Sequence, residues 1–211
     1  MTPWLVTSTF YGQWLPGDPK GSVTNVRDRR PDDPATSVRL EHDQPGEDYE
    51  GGMPGLHRAA RAQLKGPPVC LDMAQAEQLL EQLHETAAYR HWELCAVSIM
   101  FNHVHIVVKA PSEAGKSELL RDFKSYGARR LNRRFGPRES GTWWTDGGSC
   151  RPIRNLAAAI YYVCHRQPNP LVVWSRDRGR IPPSESRPDN VFPGADSEPS
   201  VGEPWVGEPP A

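Results

Sequence analysis

Apolar positions along the chain recur with two different periods, and the points where one period gives way to the other lay out the elements. Trp4 to Tyr11 (WLVTSTFY) is rich in β-branched and aromatic residues and predicts a first strand, ended by Gly12 and by Pro16-Gly17-Asp18-Pro19. Asp72 opens a helix: it can cap, Gln75 stands three residues on in capping-box position, and Leu79, Leu80, Leu83 and Ala87 continue an apolar stripe. Trp92 to Ile99 and Asn102 to Lys109 read as two neighbouring strands joined by a tight connection. A second helix spans Lys116 to Phe135, with Leu119, Leu120, Phe123, Gly127, Leu131 and Phe135 as its buried stripe. Thr142 to Thr145 predicts a short strand entering a turn at Asp146-Gly147-Gly148, with Ser149 to Ile153 returning as its partner. A third helix starts after the cap Asn155 and carries Leu156, Ala159, Ile160, Val163 and Cys164 on its apolar side before Pro168 stops it.

The order strand, helix, strand, strand, helix, strand, helix predicts an α+β fold. It is a ferredoxin-like βαββαβ unit with an antiparallel sheet and an added C-terminal helix, which carries Tyr161 and Tyr162. Such a fold by itself licenses no function. Composition divides the 211 residues further, because the 22 prolines and 18 glycines gather towards the ends. From about 20 to 68 nothing is periodic apart from a short helix expected over Leu56 to Leu64, so this stretch is expected to be a long loop insertion. The domain is therefore expected over residues 1–168, and 169–211 as a Pro-rich, disordered tail. Cys70, Cys95, Cys150 and Cys164 are widely spaced with no Cys-x-x-Cys pair, and three of them fall in periodic segments as small core residues. With no basic and apolar leader at Met1 and no apolar run of about 18 residues, a cytoplasmic protein without a membrane partner is expected.

A net charge of −1 does not announce a nucleic-acid binder, so the distribution matters more than the sum. Between Lys116 and Arg138, eight positive residues face only Glu118 and Asp122. A charge run is ordinarily a solvated helix face. Here the excess is arginine, whose planar fork suits phosphate oxygens. Lys116, Lys124, Arg129, Arg130, Arg133 and Arg134, with Arg151 and Arg154 further on, are the candidate phosphate contacts. Trp143 and Trp144 have packing as their ordinary use, although one exposed indole would stack a nucleobase.

The chemistry centres on Asn102-His103-Val104-His105-Ile106-Val107-Val108. Side chains two apart on a strand share a face, so His103 and His105 stand side by side while Val104, Ile106 and Val108 turn to a core. Two imidazoles so placed make half of a metal site; two ordinary polar-face residues are the plain alternative.

This His-hydrophobe-His strand resembles the signature of the HUH endonuclease superfamily, and Met-x-Asn-His-Val-His-hydrophobe is close to the form in REP-associated tyrosine transposases and related single-tyrosine transposases. The opening Tyr11-Gly12-Gln13-Trp14-Leu15-Pro16-Gly17-Asp18-Pro19-Lys20-Gly21 resembles the start of bacterial members of that group. Trp143-Trp144-Thr145-Asp146-Gly147-Gly148-Ser149 and the helix with Ala159-Ile160-Tyr161-Tyr162-Val163 are similar to the region that bears their nucleophile. The resemblance implies a transposase or site-specific nickase that cleaves and rejoins single-stranded or hairpin DNA. It implies Tyr162 as nucleophile, a 5′-phosphotyrosine link, and a divalent cation, Mg²⁺ or Mn²⁺, on His103 and His105. A homodimer is one assembly open to such a protein. The third ligand stays open: His165, three residues after Tyr162, is the geometric choice, and Gln167 the choice by resemblance, while Arg166 cannot ligate a cation. Phe101 departs from the Pro that relatives often carry there, with little consequence for the chemistry. A non-catalytic DNA- or RNA-binding module, and a metal-dependent phosphodiesterase that activates water, are the two other classes.

Overall fold

The computed structural model describes residues 1–18, 25–28, 38–41 and 54–182. In chain order the elements are β1 (Thr2–Thr9), β2 (Asn25–Asp28), β3 (Val38–Glu41), α1 (Pro54–Ala62), α2 (Met73–Tyr89), β4 (Glu93–Ile99), β5 (His103–Ala110), α3 (Lys116–Phe135), β6 (Ser149–Pro152), α4 (Leu156–His165), β7 (Val172–Ser175) and β8 (Gly179–Ile181). The described residues fall into two compact units, one of 1–13 and 65–182, the other of 14–18, 25–28, 38–41 and 54–64. Within the second unit, β2 and β3 pair antiparallel and α1 follows. A hairpin thus stands inside the stretch expected to be loop, and the short helix comes two residues earlier than its pattern indicates. Residues 19–24, 29–37 and 42–53 of that expected insertion lie outside the described residues.

The first unit is built on a six-stranded antiparallel sheet ordered β6-β1-β5-β4-β7-β8. Its first four strands, with α2 and α3 as the crossovers, form the expected ferredoxin-like βαββαβ unit, and α4 is the expected addition. Asp72 caps α2 through a complete capping box with Gln75, and Asn155 caps α4 by accepting from the Ala158 N–H at 3.0 Å. Leu79 and Leu83 of α2 and Leu119, Phe123 and Leu131 of α3 pack with Val6, Val97, Val104, Ile106 and Val108 on one face of the sheet. Phe135, expected in that stripe, is exposed at the end of α3. On the opposite face Val163 and Cys164 of α4 pack with Ala96, Val107, Ile153 and Val173. Cys70, Cys95, Cys150 and Cys164 are all free thiols.

Two pairings differ from the pattern. Ser149–Pro152 does not return against 142–145; it pairs with β1, Cys150 opposite Val6, while Trp144 makes a single bridge to Phe10. The reason is burial: Trp143 and Trp144 fill the core between α3 and the sheet, their ring N–H groups donating to Asn132 Oδ1 at 2.7 Å and to the Lys124 carbonyl at 2.9 Å. Neither indole is free to stack a base. The second difference corrects the expected tail. Residues 172–175 and 179–181 extend the sheet beyond β4, with Val172, Val173 and Ile181 buried. A strand buried on both faces needs few residues, and the apolar run of β7, Leu171 to Trp174, is too short to stand out among prolines and charges. Residues 183–211 lie outside those described.

Candidate active site

Strand alternation brings the site into being. On β5, Val104, Ile106 and Val108 face α2 and α3, whereas His103, His105 and Val107 face the α4 side. The register sets a row of side chains across that second face: Ser149 opposite Thr7, Thr7 opposite His105, His105 opposite Ser98, and Ser98 opposite Val173. Thr9 stands opposite His103. The two imidazoles meet edge to face with centroids 4.9 Å apart, and both residues are buried.

Each imidazole is held at Nδ1. The His103 nitrogen lies 2.6 Å from Asn102 Oδ1, and that of His105 lies 2.8 Å from the Thr7 hydroxyl. Burial pushes the His103 pKa down to about 4. Burial, together with the charge that His103 would carry, pushes His105 down to about 3, against a hydrogen bond to Gln167 that raises it. Both rings are therefore neutral around pH 7, and each carries one N–H and one nitrogen lone pair.

α4 crosses this face and separates its adjacent tyrosines. The Tyr162 ring lies edge-on to His105, centroids 5.7 Å apart, and remains 43% exposed. Tyr161 turns away: its ring stacks on His165, one helical turn later, at 5.1 Å, and the Arg166 guanidinium covers it. α4 ends at His165, and Arg166 leaves helical geometry at φ −107° and ψ 2°. The chain after it no longer follows the helical wheel. Gln167 accordingly folds under the helix, buried, with its amide hydrogen-bonded to His105 and its Nε2 donating to the Tyr162 carbonyl at 3.3 Å. Among the described residues no three His, Cys, Asp or Glu side chains gather as a metal cluster. The structure thus brings His103, His105, Gln167 and Tyr162 together and turns the His165 ring towards Tyr161.

The basic residues fall into three groups. Lys116, Arg129, Arg133 and Arg134 are exposed on α3, whose core contacts lie on the sheet face opposite the histidines. Lys124 and Arg130 are engaged internally. The Lys124 ammonium donates to the Thr145 and Gly147 carbonyls at 2.6 and 2.7 Å, and Arg130 pairs with Glu81 and Glu85 and donates to Gln78. Arg151 lies opposite Leu5 on β1, as does Val107 on β5, which puts it on the histidine face; it and Arg154 are exposed. Tyr126 packs against Tyr89 with Arg129 over its ring, well away from the histidine face by the layer it occupies.

Thr7 is a site neighbour that no motif marks. Thr7 is visible only as the first of three successive hydroxyl residues, Thr7-Ser8-Thr9, a signal that acquires meaning once β1 is known to pair with β5. Gln13 donates to the Val69 carbonyl at 2.9 Å and ties the end of the first segment to the stretch before α2.

Residues 68–156 match the family model described as "Transposase IS200 like". A search of curated proteins finds no match. Among solved structures, a REP-associated tyrosine transposase bound to a REP hairpin aligns at 13% identity and a TM-score of 0.40, over 77% of this chain and 64% of its own. The chain thus spans under two thirds of that relative. A candidate transposase from Deinococcus radiodurans aligns at 14% identity and a TM-score of 0.41, over 74% of this chain and 82% of its own. Both likenesses are distant. No described helix is long and apolar enough to cross a membrane. The match over residues 68–156, the stretch that carries both histidines, makes this part of the chain similar to the IS200-like transposase family.

Proposed function

We propose that this protein is a DNA strand transferase that cleaves single-stranded or hairpin DNA with Tyr162 and rejoins it to another end. The observation that carries this is the convergence of an exposed tyrosine and two neutral, oriented histidines on one sheet face, with Tyr162 edge-on to His105 at 5.7 Å. The donor set fits a divalent cation: both imidazoles are held at Nδ1 by oxygen atoms, as metal-bound histidines usually are, and the Gln167 amide completes the set with an oxygen. Two nitrogens and an oxygen suit Mn²⁺, or Mg²⁺ with water and phosphate oxygens. When bound, such an ion would polarise the scissile phosphate and offset charge in the transition state.

The chain's own residues supply the rest. The Tyr162 phenol attacks phosphorus, an Oη–P bond forms, the P–O3′ bond breaks, and the phenolic proton is lost as the departing 3′ oxygen gains one. The products are a 5′-phosphotyrosine and a free 3′-OH. Attack by another 3′-OH reverses the step and restores Tyr162, so no ATP is required. Arg151 and Arg154, on and beside the histidine face, contact the phosphate backbone there. Lys116, Arg129, Arg133 and Arg134 provide further phosphate contacts from α3.

The test is a denaturing gel of full-length protein with end-labelled single-stranded hairpin DNA, with and without Mn²⁺. A band that survives denaturation, appears only with metal and vanishes in Tyr162→Phe is expected. Metal-dependent cleavage that persists in Tyr162→Phe would identify a water-using phosphodiesterase, and salt-sensitive binding without cleavage a non-catalytic module.

A further inference from the structure

Resting on the metal site proposed above, we infer that Thr7 is the positioning residue that lets His105 exchange its tautomer when a cation is loaded. The hydrogen-bond chain is short and complete: the Thr7 hydroxyl on β1 lies 2.8 Å from His105 Nδ1, His105 bonds the Gln167 amide, and Gln167 Nε2 donates to the Tyr162 carbonyl. With Nδ1 on Thr7, only Nε2 remains for Gln167 or for a cation.

A neutral imidazole carries one proton. While His105 donates to Gln167 from Nε2, Nδ1 is an acceptor and the Thr7 hydroxyl must donate to it. Once Nε2 gives its lone pair to a cation, the proton belongs on Nδ1, and the Thr7 oxygen must accept. A hydroxyl fills both roles by rotating, whereas a carbonyl only accepts and a backbone amide only donates. His103 has the other kind of partner. Asn102 Oδ1, 2.6 Å from its Nδ1, accepts only, so the His103 proton stays on Nδ1 and Nε2 is a lone pair in either state. One histidine is preset and the other adapts. The register fixes this difference, because Thr7 is the residue of β1 directly opposite His105.

The test uses full-length protein without DNA, and its readout is metal binding. Mn²⁺ affinity is measured by calorimetry for wild type, Thr7→Val and Thr7→Ser. Thr7→Val, similar in shape but without the hydroxyl, should lose about 10–100-fold in affinity, the usual effect of removing a partner of a metal-bound histidine. Thr7→Ser should stay within a few-fold of wild type. Equal affinity in Thr7→Val and wild type, or equal loss in Ser and Val, overturns the inference and leaves the metal site standing. Absence of Mn²⁺ binding by wild type overturns both. Should Thr7→Val not fold, side-chain ¹⁵N spectra of the wild-type histidines, titrated with diamagnetic Zn²⁺, decide independently. The His105 proton should move to Nδ1 on loading while that of His103 stays, and a His105 proton that remains on Nε2 overturns the inference.

Discussion

The Tyr162 ring stands edge-on to the His105 imidazole, their centroids 5.7 Å apart and their planes at 69°, although the two residues lie on different elements 57 positions apart in sequence. Val163 and Cys164 create this relationship. They anchor α4 to the sheet face that β5 lines with histidines, and the residue before them is left at the rim.

Replacing Tyr162 by Phe should abolish the covalent DNA adduct without unfolding the protein. The residue is exposed, so stability should change by at most about 0.5 kcal/mol. Tyr161→Phe should still form the adduct, since that ring faces His165. A denaturing gel and a thermal melt check both, and an adduct that persists in Tyr162→Phe but vanishes in Tyr161→Phe or Tyr126→Phe reassigns the nucleophile.

Gln167 and His165 should separate cleanly as third-ligand candidates. Gln167→Ala removes an amide that joins His105 to the Tyr162 carbonyl, and should lower Mn²⁺ affinity by about 10–100-fold. His165→Ala should leave affinity within about twofold. Calorimetry on the two variants decides, and the opposite ranking would put His165 in the site.

Acid should destabilise the fold through the buried histidines. In the unfolded chain imidazoles titrate near 6.5, whereas His103 and His105 are held at about 4 and about 3. Below pH 6.5 the unfolded state takes up protons that the folded state refuses. Stability from this source is therefore full above pH 6.5, falls as pH drops towards 4, and levels off below about 3. Melting points of wild type and a His103→Gln/His105→Gln variant at several pH values test this, with a flatter profile expected for the variant over that window. Parallel profiles would contradict it.

Salt dependence should distinguish structural from DNA-facing arginines. Arg130→Ala should cost about 1 kcal/mol of stability, near the upper end for ion pairs at a surface, because its side chain is largely buried between α2 carboxylates. It should leave the slope of log affinity against log salt unchanged. Arg151→Ala should do the reverse, with stability intact and the slope for single-stranded DNA reduced by about 0.7. Fluorescence anisotropy over a salt series measures both, and an Arg151 variant with the wild-type slope would remove that residue from the interface.

Local chemistry made much of this molecule legible in the sequence. Period marks α2, α3 and α4, and capping residues mark the starts of α2 and α4, because a helix is bounded by groups within a few residues of its ends. The alternation of β5 puts both histidines on one face, since side chains two apart on a strand cannot do otherwise. Tertiary structure decided which distant groups meet. β6 joins β1 because the neighbouring tryptophans were needed in the core, and β7 and β8 extend the sheet because β4 offered them an edge. Lys124 and Arg130, indistinguishable in sequence from their basic neighbours, are tied to carbonyls and carboxylates that folding brought alongside. The same holds within the site, where the break in helical geometry after His165 carries Gln167 to His105, and strand pairing sets Thr7 beside the same ring. A histidine pair is a local pattern, but its partners come from β1 and from beyond α4, and only the folded chain brings them together.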